Sequence, residues 1–212
     1  GPCGEINPGK YVTSESLAAK DRRKDVWLLG ARYADAILRA VSSATGWHDP
    51  TDLVVAWACP LELTVSPTLP EEEQLRRELE AAVEDYLQGG GARAAHGPIR
   101  RALYRYGRRL HIVGGRLQTT AAAARLGDVV FTFMPSEVFL QTGEELRQEL
   151  AVRRPDLKLV NVSHCFDHNP SYIVPPEAFA QGGYEPTATS LAPEAYGELN
   201  DAMDGLLRQV EA

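Results

Sequence analysis

Asp128-Val129-Val130-Phe131-Thr132-Phe133-Met134-Pro135-Ser136-Glu137 passes from an apolar run into a proline, a serine and an acid. The β-branched and aromatic residues read as a buried strand. Residues 137–153 then read as an amphipathic helix, ended by Pro155. A strand handed over to a helix through a polar turn is the building unit of α/β layers. An acid at such a turn sits at the mouth of the layer, where ligands bind. A second polar segment, Asn169-Pro170-Ser171-Tyr172, follows the apolar strand pattern of residues 157–162. Glu137 and Tyr172 thus end two strand patterns, and a shared site is expected where those ends converge.

Outward from this stretch, residues 117–126 read as a strand that turns at Gly127 into residues 128–134. Residues 53–59 read as a buried strand and 61–65 as a separate, half-buried one. Helices are expected at 25–44, at 70–87 and at 99–110, with a closing helix at 193–209. Glu71, Glu72 and Glu73 follow Pro70, which places acids in a helix first turn. No repeat and no low-complexity linker interrupts the pattern. The expectation is a single α/β unit over residues 1–212: a mixed sheet with flanking helices.

The chain has 212 residues, enough for one well-buried domain. Its net charge of -7 argues against nucleic acid as a partner, because phosphate binding needs a basic field. Arg100, Arg101, Arg105, Arg108 and Arg109 are the exception. They interleave with Leu103, Tyr104, Tyr106 and Leu110 and read as a solvated amphipathic helix. Cys3, Cys59 and Cys165 have no CxxC spacing and give no disulfide framework. No apolar run is long enough for a transmembrane segment. No signal peptide is visible, which with the few cysteines leans towards the cytoplasm. The start at Gly1-Pro2, without Met, reads as a processed, truncated or tag-cleaved end.

Position alone leaves Glu137 open: a metal ligand, a general base, or an acid stabilised by a helix dipole. His164 and His168 are four apart, but Asn169-Pro170 follows and a helix is not expected there, so they read as surface loop histidines. Tyr172 and Tyr184 lie on loop-like segments, and a phenol can donate to an oxyanion or simply pack. Cys3 could act as an acyl nucleophile, yet nothing near it in sequence activates it. There is no GxSxG elbow, no P-loop and no GxGxxG.

Taken in order, these segments resemble the neutral (non-lysosomal) ceramidase family. The resemblance is strongest at residues 1–11 and 128–190. The family's Gly-Asp-Val-Ser-Pro-Asn hexapeptide is matched by Gly4-Glu5-Ile6-Asn7-Pro8-Gly9, and its Pro-Gly-Glu-Phe by Pro135-Ser136-Glu137-Val138. Gly143 matches a glycine of the following helix. An Asn-x-Tyr-x-x-Tyr segment is matched loosely by residues 167–172, and a later Tyr-Glu pair by Tyr184-Glu185.

The resemblance implies zinc-dependent hydrolysis of a linear amide, or a related acyl transfer. It makes Glu137 and Tyr172 zinc ligands and Tyr184 a donor to the tetrahedral oxyanion. Asn7 stands where the family has a serine; an amide cannot be a nucleophile, but it can position substrate or water. The family's two zinc histidines and a substrate-binding arginine lie upstream of the hexapeptide. This chain therefore resembles the C-terminal half of a ceramidase-like catalytic domain. The implied partners are the N-terminal half of that domain or a second polypeptide, and an amide-containing small molecule or lipid. A non-catalytic scaffold that has lost the reaction is the rival reading. A half-domain should also leave an apolar sheet face for a second polypeptide to cover.

Overall fold

The computed structural model describes residues 22–44, 54–88, 96–166 and 171–211. The chain divides into two units, residues 6–52 and residues 1–5 with 53–212. In the smaller unit the described element is helix α1, Arg22–Ser42. Its Tyr33, Ile37 and Val41 form an exposed stripe at four-residue spacing. An exposed Asp35–Arg39 pair lies along the same helix. Asn7, Cys3, His48 and the hexapeptide match lie outside the described residues, as do Asp167, His168 and Asn169.

The larger unit is the expected mixed sheet with flanking helices. It runs β1 (Val54–Thr64), α2 (Glu72–Gln88), α3 (His96–Arg109), β2 (Ile112–Val113), β3 (Arg116–Leu126) and β4 (Val129–Phe133). It continues with β5 (Glu137–Val138), α4 (Leu140–Arg153), β6 (Lys158–Val162), β7 (Tyr172–Ile173), α5 (Pro176–Gln181), α6 (Tyr184–Ala188) and α7 (Glu194–Glu211). The main sheet has the order β1-β3-β4-β6, with β2 beside β3. β1, β3 and β4 pair antiparallel, while β6 joins β4 in parallel. The β3–β4 hairpin pairs Leu126 with Val129 around Gly127, whose φ of 60° suits the first central residue of a II′ turn.

Two expected strands prove to be one. β1 continues through Pro60, which stands opposite Thr120. Proline lacks the N–H that a central strand needs on both sides. β1 is an edge strand with β3 as its neighbour, so Pro60 costs it no ladder bond on the open side.

One face of the sheet holds the core. Leu61 and Leu63 of β1, Leu117, Ala121 and Ala123 of β3, and Val130 of β4 are buried there. α7 packs on β1 and β3 with Leu199, Met203, Leu206, Leu207 and Val210 buried, the spacing of one helical stripe. α4 adds Leu146 and Leu150 and packs on β6. A buried polar bridge fixes this helix: the Thr132 hydroxyl donates to Asn161 at 2.7 Å, and the Asn161 amide donates to the Gly143 carbonyl at 3.2 Å.

The other face carries Ala56 and Ala58 of β1, Ala122 and Ala124 of β3, Phe131 and Phe133 of β4 and Val160 of β6. Phe131 and Phe133 stack at 6.4 Å. Ala56, Ala58 and Val160 are exposed and the rest half-buried. This face is apolar and partly exposed. Among the described residues no helix is long and apolar enough to cross a membrane.

Candidate functional site

The helix expected from residue 137 begins later. Glu137 and Val138 form a two-residue strand, and α4 starts at Leu140 with no acid in its first turn. Glu137 thus stands two residues before the N-cap Phe139 rather than inside the helix. The residue is held by strand pairing instead: β5 runs parallel to β7, with Glu137 opposite Tyr172 and Val138 opposite Ile173.

Backbone bonds on both sides fix the approach to Glu137. Met134 donates its N–H to Val162 at 2.9 Å, Cys165 donates to Met134 at 2.9 Å, and His164 donates to Ser136 at 3.2 Å. On the other side Glu137 donates to the Ser171 carbonyl at 2.8 Å. The fully buried Ser136 hydroxyl donates to that same carbonyl at 2.5 Å. His164, Phe166 and Ser171 all have positive φ, a region unfavourable for side chains with a Cβ. Strain of this kind persists where surrounding bonds over-determine the chain, and it gathers at functional sites.

The Tyr172 phenol lies beside the Glu137 carboxylate. Its pKa is pushed up to about 12, first by burial and then by the neighbouring Glu137 carboxylate. Tyr184 meets the Tyr172 ring edge-on, with centroids 5.9 Å apart and planes at 79°. Gly182 and Gly183, at φ 72° and 123°, shape the turn into α6 that delivers Tyr184. The Thr189 hydroxyl donates to the Tyr172 carbonyl at 2.6 Å, and Ser66 donates its N–H to Ser190 at 2.9 Å. The tyrosine segment is thereby tied to the end of β1.

Glu137, Tyr172 and Tyr184 line one cleft of about 1110 Å³. That is ample room for an organic ligand. A wall of the cleft comes from α3, including Arg101, Tyr104, Arg105 and Arg108, which recur at helical spacing. The sequence reading of this helix as simply solvated misses Arg108. Burial holds its guanidinium below the ordinary range, and the nearby Tyr104, Glu137, Tyr184 and Tyr172 oppose that shift. The seven-residue interval from Arg101 to Arg108, two turns on one face, was the available signal.

His164 is exposed in its loop and does not line the cleft, whereas His111 does. Burial pushes the Cys59 and Cys165 thiols up, which lowers their thiolate fraction. Among the described residues no three His, Cys, Asp or Glu side chains gather as a metal site. Glu137 and Tyr172 do bring a carboxylate and a phenol oxygen together. Their chemistry fits half of a zinc ligand set, since protein zinc sites use three or four ligands.

No protein-family model and no curated protein matches the chain. Among solved structures, it is similar to neutral ceramidase from Pseudomonas aeruginosa, with a TM-score of 0.37 and 15% identity. That match covers 44% of this chain and 15% of the ceramidase chain. A ceramidase complexed with C2 gives a TM-score of 0.36 at 15% identity, covering 44% of this chain and 14% of that one. The chain thus matches about one seventh of the length of these structures, and TM-scores this low do not by themselves establish a common fold.

Proposed function

We propose that this chain supplies half of a zinc-dependent amide hydrolase site, completed by an upstream segment or a second polypeptide. The observation that carries the reading is the Glu137–Tyr172 rung. Two residues 35 apart in sequence are strand partners, bring a carboxylate and a phenol together and line one cleft. Glu137 and Tyr172 hold the metal, with two histidines supplied from upstream. Zinc bound there supplies Lewis acidity towards the amide carbonyl. Tyr184 donates its phenol hydrogen bond to the oxyanion that forms as water adds to the carbonyl. The amide C–N bond then breaks, giving a carboxylic acid and an amine. Asn7 positions substrate or water.

The apolar sheet face supports the partner in this reading. Exposed Ala56, Ala58 and Val160 beside Phe131 and Phe133 suit a second layer of apolar side chains. The test is elemental analysis of the chain assembled with its natural upstream segment, coupled to an assay of long-chain N-acyl amides. About one zinc per assembly is expected, with metal and activity both lost in Glu137→Ala. A metal-free assembly whose amidase activity survives that substitution overturns the zinc site. A metal-free assembly with no activity points instead to the scaffold reading.

A further inference from the structure

The arginines of α3 fall into two groups. Arg105 pairs with Glu78 at 2.6 Å and Arg109 with Glu71 at 2.9 Å, which fastens α3 to the α2 region. The guanidinium groups of Arg100, Arg101 and Arg108 make no ion pair or hydrogen bond to a described residue, and all three line the cleft. Arg100 and Arg101 are exposed at the surface; Arg108 is half-buried. It senses the charge of Glu137 and the phenols of Tyr172 and Tyr184, yet forms no ion pair with Glu137. A guanidinium presents five N–H donors in a planar fork and stays charged in proteins. Half-buried and without an acceptor among the described residues, Arg108 has donors left to offer a ligand in the cleft. This concentration of positive charge also runs against the net charge of the chain, -7.

Resting on the amide-hydrolase reading above, we propose that the cleft takes an amide whose amine half carries a carboxylate, an N-acyl amino acid, and that Arg108 binds that carboxylate. The fork of Arg108 matches two carboxylate oxygens. Arg100 and Arg101 raise the local concentration of anions at the entrance. In the metal-free cleft the Glu137 carboxylate favours a monoanion over a phosphate dianion, because each further negative charge near it is repelled.

The experiment measures binding by calorimetry to the chain assembled with its upstream segment and stripped of metal by a chelator, which blocks turnover on the zinc reading and leaves Glu137 charged. The probes are N-dodecanoylglycine, the neutral N-dodecanoylethanolamine and its O-phosphate. The glycine conjugate is expected to bind about tenfold tighter than the neutral amide, as one charged contact predicts. Arg108→Gln should abolish that preference and Arg108→Lys should keep part of it. Added salt should narrow it. Equal affinities, a tighter phosphate, or a preference unchanged by Arg108→Gln overturns the proposal. Hydrolysis by the unsubstituted assembly separates the two readings. Turnover of the neutral amide without any carboxylate preference sinks the substrate class and leaves the hydrolase standing. An Arg108-dependent preference in an assembly that hydrolyses neither amide sinks the hydrolase and leaves the carboxylate site standing.

Discussion

The Ser136 hydroxyl and the Glu137 N–H converge on one acceptor, the carbonyl of Ser171, at 2.5 and 2.8 Å. This fork sets the rung on which Glu137 and Tyr172 meet. Ser136 is fully buried, so its hydroxyl has no water to turn to. Ser136→Ala removes one of the two bonds and leaves the carbonyl with the other. The expected loss is about 1 kcal/mol of stability, read as a lower urea midpoint at unchanged slope. On the hydrolase reading, a larger effect on amide turnover than on stability should accompany it, because Ser171 is held at φ 83° by these bonds. An unchanged midpoint would count against the fork as an anchor.

Tyr184 separates packing from chemistry. Its ring contributes an edge-to-face contact with Tyr172, but the residue is 68% exposed. Tyr184→Phe keeps the ring and should leave the melting temperature unchanged. On the hydrolase reading it should lower kcat by about a hundredfold, the effect of losing one oxyanion donor. Tyr184→Ala should add a stability loss of about 1 kcal/mol from the aromatic pair. Equal kcat in Tyr184→Phe and wild type removes the phenol from the reaction.

A pH effect follows from Glu198, which ties α7 to β1 and β3. It accepts from the Thr64 hydroxyl at 2.5 Å, the Thr64 N–H at 2.7 Å and Arg116 at 2.6 Å. Burial raises its pKa, but these bonds outweigh burial and hold it below the ordinary 4.5. A depressed carboxylate stabilises the fold above its unfolded pKa and loses that contribution as pH falls through the folded one. Glu198→Gln should therefore cost about 2 kcal/mol near neutrality. The gap from wild type should close as pH drops below 4.5. Denaturation series at several pH values check this, and a gap independent of pH contradicts it.

Much of the scaffold was legible because its signals are local. The periodicity of α7 and the Gly127 turn between β3 and β4 need only near neighbours in sequence. β5 was not legible, since two residues become a strand only by pairing with β7, far along the chain. Without that pairing Glu137 reads as the first residue of a helix, which instead starts at Leu140. Pro60 read as a break because strand position, edge or centre, is a property of the sheet. Tyr172 and Tyr184 were picked out by resemblance, and the structure brings them together. Arg108 was missed because a basic amphipathic helix looks the same whether its arginines meet water or a cleft.

The apolar sheet face yields the last prediction. Val160 is 41% exposed on β6, between two residues of the core face, Leu159 and Asn161. Alternation along a strand means that its side chain points away from α4 and α7. Val160→Lys should therefore change the stability of the chain by itself by no more than about 0.5 kcal/mol, as for an ordinary surface change. A lysine facing a second apolar layer would be buried without a partner charge, which is strongly unfavourable. On the half-site reading, sedimentation of the chain mixed with the proposed upstream segment should show a complex for wild type and none for Val160→Lys. Leu159→Ala is the contrasting variant. It empties part of the core face, should cost about 2–4 kcal/mol, and should weaken assembly only as far as it unfolds the chain. If Val160→Lys assembles as well as wild type, the partner does not cover this face.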